Sequence, residues 1–169
     1  MDDLPFWKAI LMTIGIIIAA LGLIFGASLI GLDDIWVAFL ALVVWGAMGM
    51  EMKQAPGVFI GAAYGLLLSL SVEALPDLFG DWAVVIPLVA IILTISCQIK
   101  GLLPVLCNYS TFAFLTIGGA DIILDQRLQL LYLPNLAFGA VLFWFIPWLL
   151  IKFTPLGDQS ALDEPAEPS

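Results

Sequence analysis

Six long apolar runs, none with an Asp, Glu, Lys or Arg near its middle, constrain this chain more than any other feature. About 20 apolar residues in a helix match the ~30 Å hydrocarbon core of a bilayer, whereas a membrane barrel strand is shorter and alternates. The chain therefore reads as an all-α polytopic membrane protein with six transmembrane helices. Span 1 is expected over Phe6–Ser28, span 2 over Ile35–Met50, span 3 over Pro56–Leu75, span 4 over Trp82–Ile99, span 5 over Leu102–Gly118 and span 6 over Leu133–Phe153. Pro87 and Pro147 fall inside spans 4 and 6, where each removes a backbone hydrogen bond, so the bundle is expected to be compact with kinked helices. Of 169 residues 63% are apolar and 11% charged, a balance foreign to soluble domains. Residues 1–154 form the transmembrane domain, and 155–169, acidic and poor in apolar side chains, a disordered tail.

Lysine placement orients the spans. Lys8, Lys53, Lys100 and Lys152 fall on one side and Arg127 on the other, which puts both termini in the cytoplasm of a bacterial inner membrane. Span 1 stays in the mature chain, because Asp2 and Asp3 stand beside Lys8 and no small-residue cleavage pattern follows. The far side carries Asp33, Asp34, Glu73, Asp77, Asp81, Asp121 and Asp125. These acids either solubilise short loops or raise the local cation concentration at a mouth. Trp36, Trp82 and Tyr132 at one level, with Trp7 and Trp148 at the other, read as interfacial anchors.

The absence of His removes the usual proton shuttle, metal ligand and nucleophile-activating base. No Gly-rich phosphate loop, nucleophile elbow or basic patch is present, so no catalytic residues, no cofactor and no nucleic-acid partner are expected. Cys97 and Cys107 without His make no recognisable metal site, and no metal is expected. The lack of a charge at mid-span argues against a carboxylate-driven proton pump.

Two constellations remain. In span 5, Asn108, Tyr109, Ser110 and Thr111 form a polar row, with Thr94 and Gln98 on one face of span 4. The row reads either as donors and acceptors lining a solute pathway or as interhelical glue worth about 0.6 kcal/mol per bond. On the first reading Asn108→Leu stops flux and leaves folding intact. In span 3, Gly57, Gly61, Gly65 and Ser69 recur at every fourth position and let another backbone approach closely. Their partner is another helix of the bundle or span 3 of a second copy, and a homo-oligomer is expected. Asn135, directly after Pro134, reads as a cap on the first turn of span 6.

Ser96-Cys97-Gln98-Ile99-Lys100-Gly101-Leu102-Leu103 and Leu133-Pro134-Asn135-Leu136-Ala137-Phe138-Gly139 carry a resemblance to small bacterial inner-membrane proteins under a domain-of-unknown-function label, the six-helix type related to the DUF1097 group. That resemblance implies a compact six-helix protein and no activity. The family pattern Pro-Gly-x-Phe-x-Gly stands here at Pro56–Gly61, in span 3 rather than span 5. The sequence thus supports a channel or facilitative transporter for a small neutral or cationic solute, selected by amide and hydroxyl groups. The alternative is a non-catalytic scaffold or accessory subunit docking through the small-residue face of span 3.

Overall fold

The computed structural model describes residues 7, 10, 14, 21–22, 24–49, 51–120 and 128–153, and all regular structure among them is helical. Most of span 1, Lys8, Asp121, Asp125, Arg127 and the tail lie outside these residues. Residues 24–29 (α1) run into a turn at Gly31, where φ is +76°. Then follow α2 (Trp36–Ala47), α3 (Ala55–Phe79), α4 (Val85–Ile99), α5 (Tyr109–Gly118), α6 (Gln129–Ala140) and α7 (Ile146–Phe153). Among the described residues, three stretches are long and apolar enough to cross a membrane: Ala55–Phe79, Asp81–Ile99 and Gln129–Leu149.

The proline expectations resolve into two local geometries. Pro87 enters α4 directly behind a 3-10 turn at Asp81–Val84, and Pro147 enters α7 directly behind a π turn at Val141–Phe145. In both places the helix changes its winding where a proline withholds an amide. Pro76 and Pro134 also lie within helices, inside α3 and α6.

Helix α3 is the axis of the packing. Val58, Phe59, Ala62 and Leu66 on α3 meet Val37, Ala41 and Trp45 of α2, Phe114 of α5, and Tyr132 and Leu136 of α6 in one buried cluster. The α2–α3 connection is tied down by the Trp45 indole, whose Nε1 donates to the Glu51 carbonyl at 3.1 Å. Helices α2 and α6 approach so closely that a Cβ at Gly139 would overlap Ala38. Helix α4 is attached more loosely, with Pro87 and Thr94 as its buried residues.

Three expectations are corrected. Span 5 does not begin at Leu102: residues 102–108 are turns, and the helix is the ten residues from Tyr109. At about 15 Å it reaches half the thickness of a hydrocarbon core. Asn135 does not cap a helix, because α6 starts at Gln129; Asn135 is buried and its Nδ2 donates to the Leu131 carbonyl at 2.9 Å. Tyr132 is no interfacial anchor: it is 5% exposed and packs edge-on against Trp36 with ring centroids 5.2 Å apart.

Candidate functional site

The site is assembled by the way α4 stops. Gly101 adopts φ +66° just past the helix, the Leu102 N–H donates to the Cys97 carbonyl at 2.8 Å, and the Gly101 N–H donates to the Gln98 carbonyl at 2.9 Å. This pair of bonds is the Schellman closure that glycine makes possible. Leu103 follows at φ +50° and Pro104 contributes no amide, so the chain cannot resume a helix at once. It doubles back along α3 as irregular, largely apolar backbone.

Asn108 then starts α5. Its backbone is extended (φ −141°, ψ 179°), and its Oδ1 accepts from the Ser110 N–H at 2.9 Å and the Thr111 N–H at 3.3 Å. The Asn108 N–H donates in return to Thr111 Oγ1 at 3.5 Å, completing a capping box. The amide Nδ2 donates to the carbonyls of Gly57, Pro104 and Val105 at 2.9, 3.0 and 3.1 Å. The Thr111 hydroxyl donates to the Leu106 carbonyl. Asn108 and Thr111 are therefore saturated by the protein itself. Asn108→Leu removes the cap and the donor on the Pro104 and Val105 carbonyls of the irregular segment, so the expectation that this change spares folding is withdrawn.

The small-residue row is the other half of this joint. A Cβ at Gly57 would meet Val105 Cα at 3.6 Å, and one at Gly61 would come within 2.6 Å of Asn108 Oδ1. At Gly65 it would overlap the Thr111 carbonyl oxygen, and Ser69 lies against Gly118 in the same way. The row thus faces α5 of its own chain over the whole length of α5. Of the two partners left open by the sequence, span 3 of a second copy would have to displace α5.

The remaining predicted site residues separate. Thr94 is buried, and its hydroxyl donates to the Ala90 carbonyl at 2.8 Å, so the 3.0 Å contact with the Tyr64 hydroxyl is donated by Tyr64. Ser110 is buried with an unpartnered Oγ. Gln98 is half-buried, its Oε1 shielded from solvent and without a hydrogen-bond partner, while Tyr109 is 71% exposed.

Gln98 and Tyr109 meet at an open cavity of about 720 Å³ whose wall also carries Lys53, Gln54, Cys107 and Asn108. A second cavity of about 480 Å³ shares Gln98 and Tyr109 and continues between α4 and α5 over Ile95, Ile99 and Phe112. Lys53 Nζ lies 2.9 Å from Glu51 Oε2, which also accepts from Gln54 Nε2 at 3.0 Å. The Lys53 hydrogen bond, then its charge, holds the Glu51 carboxyl below its ordinary range. Met48, Lys53, Gln54 and Tyr64 were not read as site residues. The similarity of Lys53-Gln-Ala-Pro56 to Lys100-Gly-Leu-Leu-Pro104 relates the two hairpins to each other and does not bring them together.

The arrangement can hold a small polar molecule between two amides and a phenol. Among the described residues no three His, Cys, Asp or Glu side chains converge. Comparison with known proteins finds no match: no family model, no curated protein and no solved structure is similar to the chain at a significant level. The resemblance carried by Ser96–Leu103 and Leu133–Gly139 rests on those residues alone.

Proposed function

We propose that the chain is a channel or facilitative transporter for a small neutral or cationic solute, and that the solute is received in the cavity bounded by Lys53, Gln98 and Tyr109. In this reading the protein crosses a bacterial inner membrane six times with both termini cytoplasmic, and Lys53 and Lys100 mark the cytoplasmic mouth. The observation that carries it is the Gln98 side-chain amide oxygen Oε1, shielded and unpartnered at the junction of two cavities. A buried acceptor without a donor is costly, and a solute bearing N–H or O–H groups relieves that cost. The backbone supports the same reading. Irregular chain at membrane depth is tolerated where it is buried in protein or lines a wet cavity, and Pro104, Val105, Cys107 and Asn108 line this one.

Within this proposal the roles of the polar row change. Asn108, Ser110 and Thr111 hold the joint, Thr94 ties α4 to Tyr64, and Gln98 with Tyr109 selects the solute. The test is solute uptake by proteoliposomes, screened over ammonium, small amides, polyols and alkali cations, with Gln98→Leu and Tyr109→Ala beside the parent chain. Uptake is lost in Gln98→Leu at an unchanged melting midpoint. Undiminished uptake in that variant removes Gln98 from the pathway and the proposal with it.

A further inference from the structure

The two cavities that share Gln98 and Tyr109 have unlike walls. The larger carries Lys53, Gln54 and the saturated Asn108, whereas the smaller, between α4 and α5, is otherwise lined by Ile95, Ile99 and Phe112. A polar chamber and an apolar cleft therefore meet at one amide and one phenol, and a molecule that fills both is an amphiphile. Helix α4 sets the level of this joint. The stretch Asp81–Ile99 is long and apolar enough to cross a membrane, so Gln98 and Ile99 lie at its end, where hydrocarbon gives way to head groups. Ile95 and Ile99 are 41% and 77% exposed, so the bundle itself leaves the cleft uncovered.

The wall also specifies the head of that amphiphile. Among the described residues no hydrogen bond holds the Gln98 carboxamide, and its Oε1 is unpartnered. A half turn about the last torsion exchanges Oε1 and Nε2 in nearly the same shape, so the group can present its acceptor to the chamber. An acceptor calls for N–H or O–H donors, and the Tyr109 ring, on a side chain 71% exposed, attracts an ammonium over its face. Lys53 Nζ spends one of its three donors on Glu51 at 2.9 Å and keeps two for a phosphate. Since Glu51 already answers the lysine charge, the wall does not call for a net anionic head. We propose that this joint seats one phosphatidylethanolamine molecule, with its phosphate on Lys53, its ammonium on Gln98 Oε1 and Tyr109, and an acyl chain along Ile95, Ile99 and Phe112. Phosphatidylcholine has the same phosphate and chains, but its quaternary ammonium carries no N–H. The assignment deepens the vestibule reading, on which it rests for placing Lys53 at the membrane surface, and adds regulation: the head group occupies the amide that receives the solute and so competes with uptake.

The experiment offers the full-length chain in detergent equal amounts of phosphatidylethanolamine and phosphatidylcholine, and reads the lipid retained by native mass spectrometry. The parent is expected to keep one phosphatidylethanolamine with a preference of about tenfold, the worth of one hydrogen bond to a charged group. Gln98→Leu loses the preference at an unchanged melting midpoint, and Lys53→Gln weakens both lipids alike, because both carry the phosphate. A second measurement needs no variant: lysophosphatidylethanolamine displaces the bound lipid from the parent, and glycerophosphoethanolamine, the same head without an acyl chain, does not. Equal retention of the two lipids, a preference kept by folded Gln98→Leu, or displacement by the chainless head overturns the seat. A lipid preference without uptake of any solute sustains the seat and ends the pathway reading, whereas uptake by a chain with no lipid preference does the reverse.

Discussion

Helix α3 meets two neighbours in opposite ways. Against α5 it presents Gly57, Gly61, Gly65 and Ser69, and the two backbones approach until no Cβ fits at Gly61 or Gly65. Against α4 it presents Tyr64, whose hydroxyl reaches Thr94 at 3.0 Å, while Ile86, Leu88, Val89, Ile92 and Leu93 of α4 stay exposed. Both seams contain polar side chains. In the first, the amide and hydroxyl of Asn108 and Thr111 are consumed by backbone groups that the irregular 102–108 segment would otherwise leave bare. In the second, Gln98 is left with an acceptor that no protein group satisfies. A polar residue in an apolar bundle therefore signals function only after the needs of the neighbouring backbone have been met, and the Gln98 acceptor is such a surplus on the wall of a cavity.

A graded series of variants distinguishes the two seams. Gly65→Ala should be the most damaging, costing about 3 kcal/mol because its methyl group is forced into the Thr111 carbonyl of a close-packed seam. Equilibrium unfolding in mixed micelles reads this. Asn108→Ala follows at about 2 kcal/mol, from a lost cap together with the Pro104 and Val105 carbonyls left without their donor. Across the other seam, Thr94→Val should cost about 0.6 kcal/mol, the worth of one hydrogen bond between membrane helices. Should Thr94→Val prove as costly as Gly65→Ala, the two seams are alike and the contrast fails. Gln98→Leu should shift stability by less than about 0.5 kcal/mol while abolishing uptake, since no hydrogen bond to the Oε1 is lost.

The smallest effect is electrostatic. Because Lys53 lowers the Glu51 pKa from its ordinary 4.5, the pair contributes in full above that value and its contribution fades as pH falls through the lower folded value. Both side chains are exposed, so the contribution is slight. Melting midpoints of the parent and of Lys53→Gln, compared from neutral pH downward, should differ slightly at first and converge on acidification.

Much of this arrangement can be read from residue order. Continuous apolar runs give helices, and the starts of α2, α3 and α4 fall within a few residues of the expected ones. The four-residue period of Gly57 to Ser69 marks a close approach, although it does not say to what. The 102–108 segment is misread for a physical reason. Hydropathy registers Leu102, Leu103, Val105 and Leu106 as membrane, while Gly101, Pro104 and the Asn108-to-Thr111 spacing, which signal a stop, a break and a cap, carry almost no weight on that scale. Read as punctuation, they would have moved the start of α5 to Tyr109 and turned Asn108 from a pore residue into a structural one. The Tyr64–Thr94 bond joins positions far apart in the chain, and no local period reports it.

The π turn at Val141–Phe145 has a consequence for how the last two helices can be altered. A π turn holds one residue more than an α turn, so it acts as a phase shifter, and the faces of α6 and α7 are offset by about 100° from where one uninterrupted α-helix would place them. Shortening the turn by a single residue would leave Leu136 and Gly139 in their seats and turn α7 as a body by about 100° about its axis, without changing one residue of it.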